Sequence, residues 1–191
     1  MTLILTTGRL RLRLLAGTDA EAFAAYRSDP EIARYQGWDT PYTIDQAREL
    51  IAAMTDVVPG TPGEWVQLAI EVQASGRLAG DCAFQVLAGT PRQAEIGLTL
   101  ARPFHGKGYG TEAIACLLDF LFGELDLHRV SANCDVENPA AVRVLERLGM
   151  RREAHFVEAL WFKGGWASEY RYAILQREWQ ARRQTLRLHS P

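Results

Sequence analysis

The chain has 191 residues, of which 48% are apolar and 23% charged, with a formal net charge of −2. That length fits one domain of roughly 100–200 residues, and the balance is an ordinary globular one. A near-neutral chain whose dense basic run is confined to Arg182, Arg183 and Arg187 lacks the basic face that a nucleic-acid binder would show.

Arg9–Leu15 alternates as RLRLRLL, which predicts a half-buried strand with Leu10, Leu12 and Leu14 on one face. Asp19–Arg27 carries Ala22, Phe23 and Tyr26 at helical spacing before Ser28-Asp29-Pro30 breaks it. Thr43–Met54 reads as a second helix, capped by Thr43 and striped by Ile44, Ala47, Leu50, Ile51 and Met54. A Pro/Gly loop over residues 59–63 leads into a hairpin of Trp65–Val72 and Leu78–Leu87, turning at Ser75-Gly76. Ala94–Ala101 is the next strand, with Ile96, Leu98 and Leu100 alternating against Glu95, Gly97 and Thr99. After a Gly-rich segment comes a long helix through Ile114, Leu117, Leu118 and Leu121, then a strand over His128–Cys134. Asn138-Pro139 opens a helix with a cap and a proline at its first position, and Gly149 closes it. Two last strands flank Lys163-Gly164-Gly165, read as a Gly-Gly turn, and the second runs from Trp166 to about Leu175. The order β-α-α-β-β-β-α-β-α-β-β is an α+β mixed sheet covered by helices. Residues 1–180 are expected to form the domain and 181–191 a polar, solvated tail.

Cys82, Cys116 and Cys134 are odd in number and widely spaced, without a Cys-x-x-Cys pair. They predict buried apolar thiols in a reducing cytoplasm, no disulfide framework and no metal site. No apolar run approaches the roughly 18 residues of a membrane span. The apolar stretch near Met1 is interrupted by arginines, unlike a signal peptide. A soluble cytoplasmic protein is expected, with no nucleic-acid or membrane partner.

The segment Pro103-Phe104-His105-Gly106-Lys107-Gly108-Tyr109-Gly110 lies between a strand and a helix. Three glycines let a backbone turn tightly and approach a ligand. The following helix start offers unpaired N–H groups and a positive dipole end, so the combination suits a pyrophosphate. Lys107 adds charge. The glycine spacing matches neither the dinucleotide-binding G-x-G-x-x-G nor a P-loop, and by itself would describe only a flexible turn.

The neighbouring residues resemble the GNAT acetyltransferase family. That family's CoA loop, Gln/Arg-x-x-Gly-x-Gly/Ala, is matched by His105–Gly110, and its following Thr-Glu-Ala by Thr111-Glu112-Ala113. Its Asn-x-x-Ala/Ser…Gly-Phe segment is matched by Asn138–Ala141 through Gly149-Met150. Trp161–Trp166 through Glu178-Trp179 is similar to the subgroup that acetylates ribosomal-protein N-termini. The likeness runs from Leu10 to Trp179. It departs from the pattern at His105, which replaces Gln or Arg, and at Leu145, where many members carry a tyrosine that protonates the leaving thiolate. Ala141 stands where the ribosomal subgroup often has serine.

The resemblance implies a mostly antiparallel sheet splayed between its middle strands. It implies acetyl-CoA as cofactor and a primary amine as acceptor, a peptide or protein N-terminal α-amine first. An aminoglycoside or polyamine is the alternative, with Asp39, Glu95, Glu153 and Glu158 as acids for a polycation; a non-catalytic acyl-CoA-binding module is the third reading. By the same resemblance Leu98, Thr99 and Leu100 would bond the pantetheine arm through their backbone. His105, Gly106, Lys107, Gly108, Tyr109, Gly110 and Thr111 would hold the pyrophosphate, and Asn138 would reach CoA near its thiol end. Tyr35 and Trp38 would line part of the acceptor pocket, although aromatics bury large areas and are commoner in cores than in pockets. A homodimer is compatible with the family. Transfer needs a base to free the amine, and Glu95, on the polar side of its strand, is the candidate, ahead of His155.

Overall fold

The computed structural model describes residues 3–188. Its strands are β1 (Ile4–Thr6), β2 (Leu10–Leu14), β3 (Trp65–Val72), β4 (Arg77–Val86), β5 (Gln93–Leu100), β6 (Arg129–Asp135), β7 (Arg151–Phe162) and β8 (Gly165–Leu175). They form one sheet in the order β1-β2-β3-β4-β5-β6-β8-β7. The helices are α1 (Ala20–Arg27), α2 (Pro30–Ala33), α3 (Ile44–Ala53), α4 (Tyr109–Gly123), α5 (Pro139–Arg147) and α6 (Gln176–Leu188). The α+β expectation holds in every strand it named. It lacked β1, the single-turn α2, and α6.

Local chemistry sets the element ends. Thr43 accepts from the Gln46 N–H at 3.2 Å while the Gln46 side chain accepts from the Thr43 N–H at 2.8 Å, a reciprocal cap that starts α3. Asn138 caps α5 by accepting from the Ala141 N–H at 3.1 Å. The last hairpin turns on Lys163 (φ 48°) and Gly164 (φ 85°), with Phe162 directly opposite Gly165. It is a two-residue turn with both φ positive, and Gly165 is already in the strand, one residue earlier than a Gly-Gly turn would put it.

The two faces of the sheet carry different helices. A Cβ added to Gly110 would meet Leu98 Cδ2 at 3.0 Å and Leu100 Cδ1 at 3.4 Å, so α4 presses on the even-numbered residues of β5 through a glycine. Leu117, Leu118 and Leu121 bury the same face of α4 in the core. On the other face Tyr26 of α1 donates to Asp81, which lies opposite Thr99 in register. Gln67 also donates to Asp81, and the Arg27 guanidinium sits 3.5 Å from it. Burial pushes the Asp81 carboxyl up, against the pull of Arg27 and of these hydrogen bonds.

All neighbouring strands are antiparallel except β5 and β6, which run parallel. They pair only at Gln93↔Arg129, Ala94↔Val130 and Glu95↔Ser131. Beyond that point β5 continues beside β4 to Leu100, and β6 continues beside β8 to Asp135. The sheet therefore opens into a wedge whose apex is Glu95 and Ser131.

Candidate active site

The wedge leads into a cavity of about 750 Å³. Its wall comes from four places in the chain: the open stretch of β5, the Gly-rich turn with the start of α4, the end of β6 with α5, and α2 with the residues after it.

The backbone of β5 is divided between its two neighbours. Ala101 donates to Ala79 O at 2.8 Å and Leu87 to Gln93 O at 2.9 Å, so odd-numbered positions bond to β4. By the alternation of an antiparallel ladder, Thr99 spends its backbone on β4, while Leu98 and Leu100 point theirs into the wedge. His105 Nε2 lies 2.8 Å from Leu100 O, so its N–H fills that acceptor. Left to receive an amide-bearing arm are the N–H and C=O of Leu98 and the N–H of Leu100. Thr99 lines the cavity without offering backbone groups to it.

The Gly-rich turn is shaped by φ values that L side chains avoid: 72° at Gly106 and 79° at Gly108. An added Cβ at Gly106 would meet nothing within 4 Å, so the turn is an open cradle. The first bond of the α4 ladder is Glu112 N–H to Gly108 O, at 3.1 Å. Among the described residues the N–H groups from Gly106 to Thr111 therefore have no protein partner, and they converge on a helix start where anions are favoured. This cradle fits the pyrophosphate of a CoA nucleotide. His105, Gly106, Gly108, Tyr109, Gly110 and Thr111 all line the cavity, as does Asn138.

A brace fixes the turn from behind. Arg9 Nε donates to Glu112 Oε2 at 2.6 Å, and Arg9 Nη1 donates to Lys107 O at 3.0 Å. Thr7 donates to Glu112 at 2.5 Å. Partial burial raises the Glu112 carboxyl, but the Thr7 and Arg9 bonds outweigh it and hold the group below its ordinary range. The glutamate of the Thr-Glu-Ala motif thus positions the cradle. The sequence marked Glu112 but gave no sign of its partner Arg9, more than one hundred residues away.

Other expected residues fall elsewhere. Lys107 does not line the cavity; its ammonium sits 5.7 Å from the Phe104 ring centroid. Trp38 packs on the Arg27 guanidinium, 3.9 Å from ring centroid to Cζ, and donates to Arg27 O at 3.0 Å, so it takes the core-packing role. Tyr35 does line the cavity, and its hydroxyl donates to Glu137 O at 2.8 Å, bridging α2 to the loop before α5. Glu95 stands at the wedge apex, half-buried, with no hydrogen bond or ion pair among the described residues. Its neighbours Ile96 and Gly97 line the cavity and its own side chain does not. Leu145 is buried with 7% of its surface exposed and forms part of the cavity floor, where it brings no proton. Sequence reasoning missed Glu31, Asn133, Asp135, Arg143 and Arg147, which also line it. Of these, the arginine pair at i,i+4 was visible as a spacing.

Among the described residues no cluster of His, Cys, Asp and Glu is placed to hold a metal, and no helix is long and apolar enough to cross a membrane. The acetyltransferase (GNAT) domain model matches residues 9–151. The uncharacterized N-acetyltransferase p20 of Bacillus licheniformis is 32% identical over 92% of this chain and 97% of its own length. A GNAT-family acetyltransferase from Bacillus anthracis superposes with a TM-score of 0.83 at 29% identity, covering 92% of this chain and all of its own. A spermidine N-acetyltransferase from Vibrio cholerae, solved with CoA and spermine, gives a TM-score of 0.78 at 26% identity over 91% of this chain and 99% of its own.

Proposed function

From the premise that the chain belongs to the GNAT family and is an acetyl-CoA-dependent N-acetyltransferase, we propose that its acceptor is the N-terminal α-amine of a peptide or protein. The observation that carries this reading is the small number of acids in the cavity. A polyamine or aminoglycoside brings several cations and is best received by several carboxylates. Of Asp39, Glu95, Glu153 and Glu158, none lines the cavity. Glu153 is spent on Arg129 and Arg151. The acids that do line it are Glu31 and Asp135, and Asp135 Oδ1 already accepts from the Glu137 N–H at 2.7 Å. One ammonium suits that supply. Tyr35, Gln36 and Asn133 add uncharged polar groups suited to the amides that follow a peptide N-terminus.

Acetyl-CoA supplies the thioester carbon that the amine attacks. Leu98 N–H, facing the wedge, is placed to donate to the thioester oxygen as charge builds on it. Glu95 takes the proton the amine must lose, through water, because its carboxylate stands at the apex outside the cavity wall. Asn138 stands at the cavity wall with its side-chain oxygen committed to the α5 cap, leaving its amide N–H groups to donate. The products are the acetylated amine and free CoA thiol, whose proton comes from solvent in the absence of a hydroxyl at Leu145.

Measuring kcat/KM for thiol release with peptides of free α-amine, with spermidine and spermine, and with aminoglycosides tests the proposal. Peptides should lead by at least tenfold. Preference for a polyamine, the ligand class seen in the Vibrio cholerae complex, would overturn it.

A further inference from the structure

Arg143 and Arg147 lie four residues apart on α5, so they share one face of the helix. Both line the cavity. Among the described residues neither guanidinium makes a hydrogen bond or an ion pair, although Arg147 O accepts from Arg182 Nη2 at 2.5 Å. Arg102, the third arginine on the cavity wall, is held by Asp29, with Nε 2.9 Å from Oδ2. Arg9 is held by Glu112, and Lys107 turns away from the cavity. The fixed positive charge free to meet a ligand in this cavity is therefore on α5.

Two like charges at i,i+4 slightly destabilise a helix. Arg147, in the last turn, is compensated by the negative end of the helix dipole. Arg143, mid-helix, has neither that compensation nor an acid partner. Both side chains are solvent-exposed where they line the cavity, and a pair of unpaired guanidiniums there suits an anionic ligand.

The cradle from Gly106 to Thr111 accounts for one anionic group, a pyrophosphate. A CoA nucleotide carries a second, the 3′-phosphate on its ribose. We infer that Arg143 and Arg147 form a 3′-phosphate subsite, by which the protein selects acetyl-CoA over 3′-dephospho forms of the same thioester. The inference rests on acetyl-CoA as the donor and adds a specificity that the cradle alone does not provide. Guanidinium is the group suited to it, because its forked N–H donors match a phosphate edge.

Isothermal titration of the full chain with CoA and with 3′-dephospho-CoA tests this without an acceptor or turnover. CoA should bind about 10- to 100-fold more tightly, as expected for one or two charge-assisted contacts. Arg143→Ala combined with Arg147→Ala should erase that ratio, leaving dephospho-CoA affinity within about twofold. Raising salt should weaken CoA binding more steeply than dephospho-CoA binding. Equal binding of the two nucleotides by the unaltered protein would overturn the subsite while leaving the donor reading intact. Failure of both to bind would overturn both. The unaltered-protein comparison needs no variant, so a misfolded double variant leaves the test standing.

Discussion

Glu95 is defined by where the strands part. It is the last residue of β5 that faces β6 in register, and no donor neutralises it among the described residues. Glu95→Gln keeps the shape and removes the base, so kcat should fall by about 10²- to 10⁴-fold while acetyl-CoA affinity stays unchanged. The loss should shrink as pH rises, sooner for a peptide α-amine with pKa near 7.7–8.0 than for an amine of lysine type near 10.4. Undiminished turnover across the pH range would remove Glu95 from the mechanism and leave His155 or water. Glu153 makes a different residue-scale prediction. The Arg129 hydrogen bonds, then Arg151, hold its carboxyl at about 2, down from 4.5 and against partial burial. A folded pKa below the unfolded one means that stability is complete above 4.5 and is lost as pH falls toward about 2. Melting temperature should drop through that window, and Glu153→Gln should flatten the drop. A variant with the parent's acid profile would show that solvent screens the pair. The chain marked Glu95 as the candidate base by its place on the strand but not its position at the wedge apex, and the partners of Glu153, on β6 and on its own strand edge, could not be read from it.

At the scale of elements, the strand–turn–helix unit of β5 and α4 was the most legible part of the molecule. Glycines at positive φ and a helix start are local chemistry, and Gly106 and Gly108 adopt the turn that their spacing implied. The division of the β5 backbone was not legible, because it depends on which residues β4 pairs. Thr99 therefore gave way to Leu98 and Leu100 as the residues open to the donor. The C-terminal helix escaped for the opposite reason. The solvated tail was expected to begin at residue 181, whereas α6 spans Gln176–Leu188; within the expected domain, Trp179 anchors it, buried at 3% exposure and donating to Asp119 Oδ1 at 2.9 Å. Arg183 pairs with the same aspartate at 2.8 Å, so α6 is docked along α4 through few but specific contacts. Gly108→Val tests the cradle. The left-handed backbone there costs an L residue roughly 1–2 kcal/mol, and the close neighbour of an added Cβ is the guanidinium of the Arg9 brace, at 3.4 Å. The fold should persist, seen by circular dichroism, while acetyl-CoA affinity falls at least tenfold. Normal affinity would place the phosphate site elsewhere.

At the scale of the whole molecule, one defect in an otherwise continuous sheet creates the site. Three paired positions join β5 to β6, and the divergence of the strands beyond them exposes backbone that a ligand can complete. The sequence showed the strands and helices in order but not the wedge; the splay was expected from family resemblance alone. Charge is sorted along the cavity, with Arg143 and Arg147 on α5, and Glu31 and Asp135 on α2 and β6. The proposed transfer to an α-amine is tested most directly by finding where the acetyl group goes. A peptide with a free N-terminus and one internal lysine, mixed with equimolar spermidine and limiting isotope-labelled acetyl-CoA, should be analysed by fragmentation mass spectrometry. The label should appear on the peptide α-amine, with little on lysine or spermidine. Label concentrated on spermidine or on the lysine side chain would contradict it.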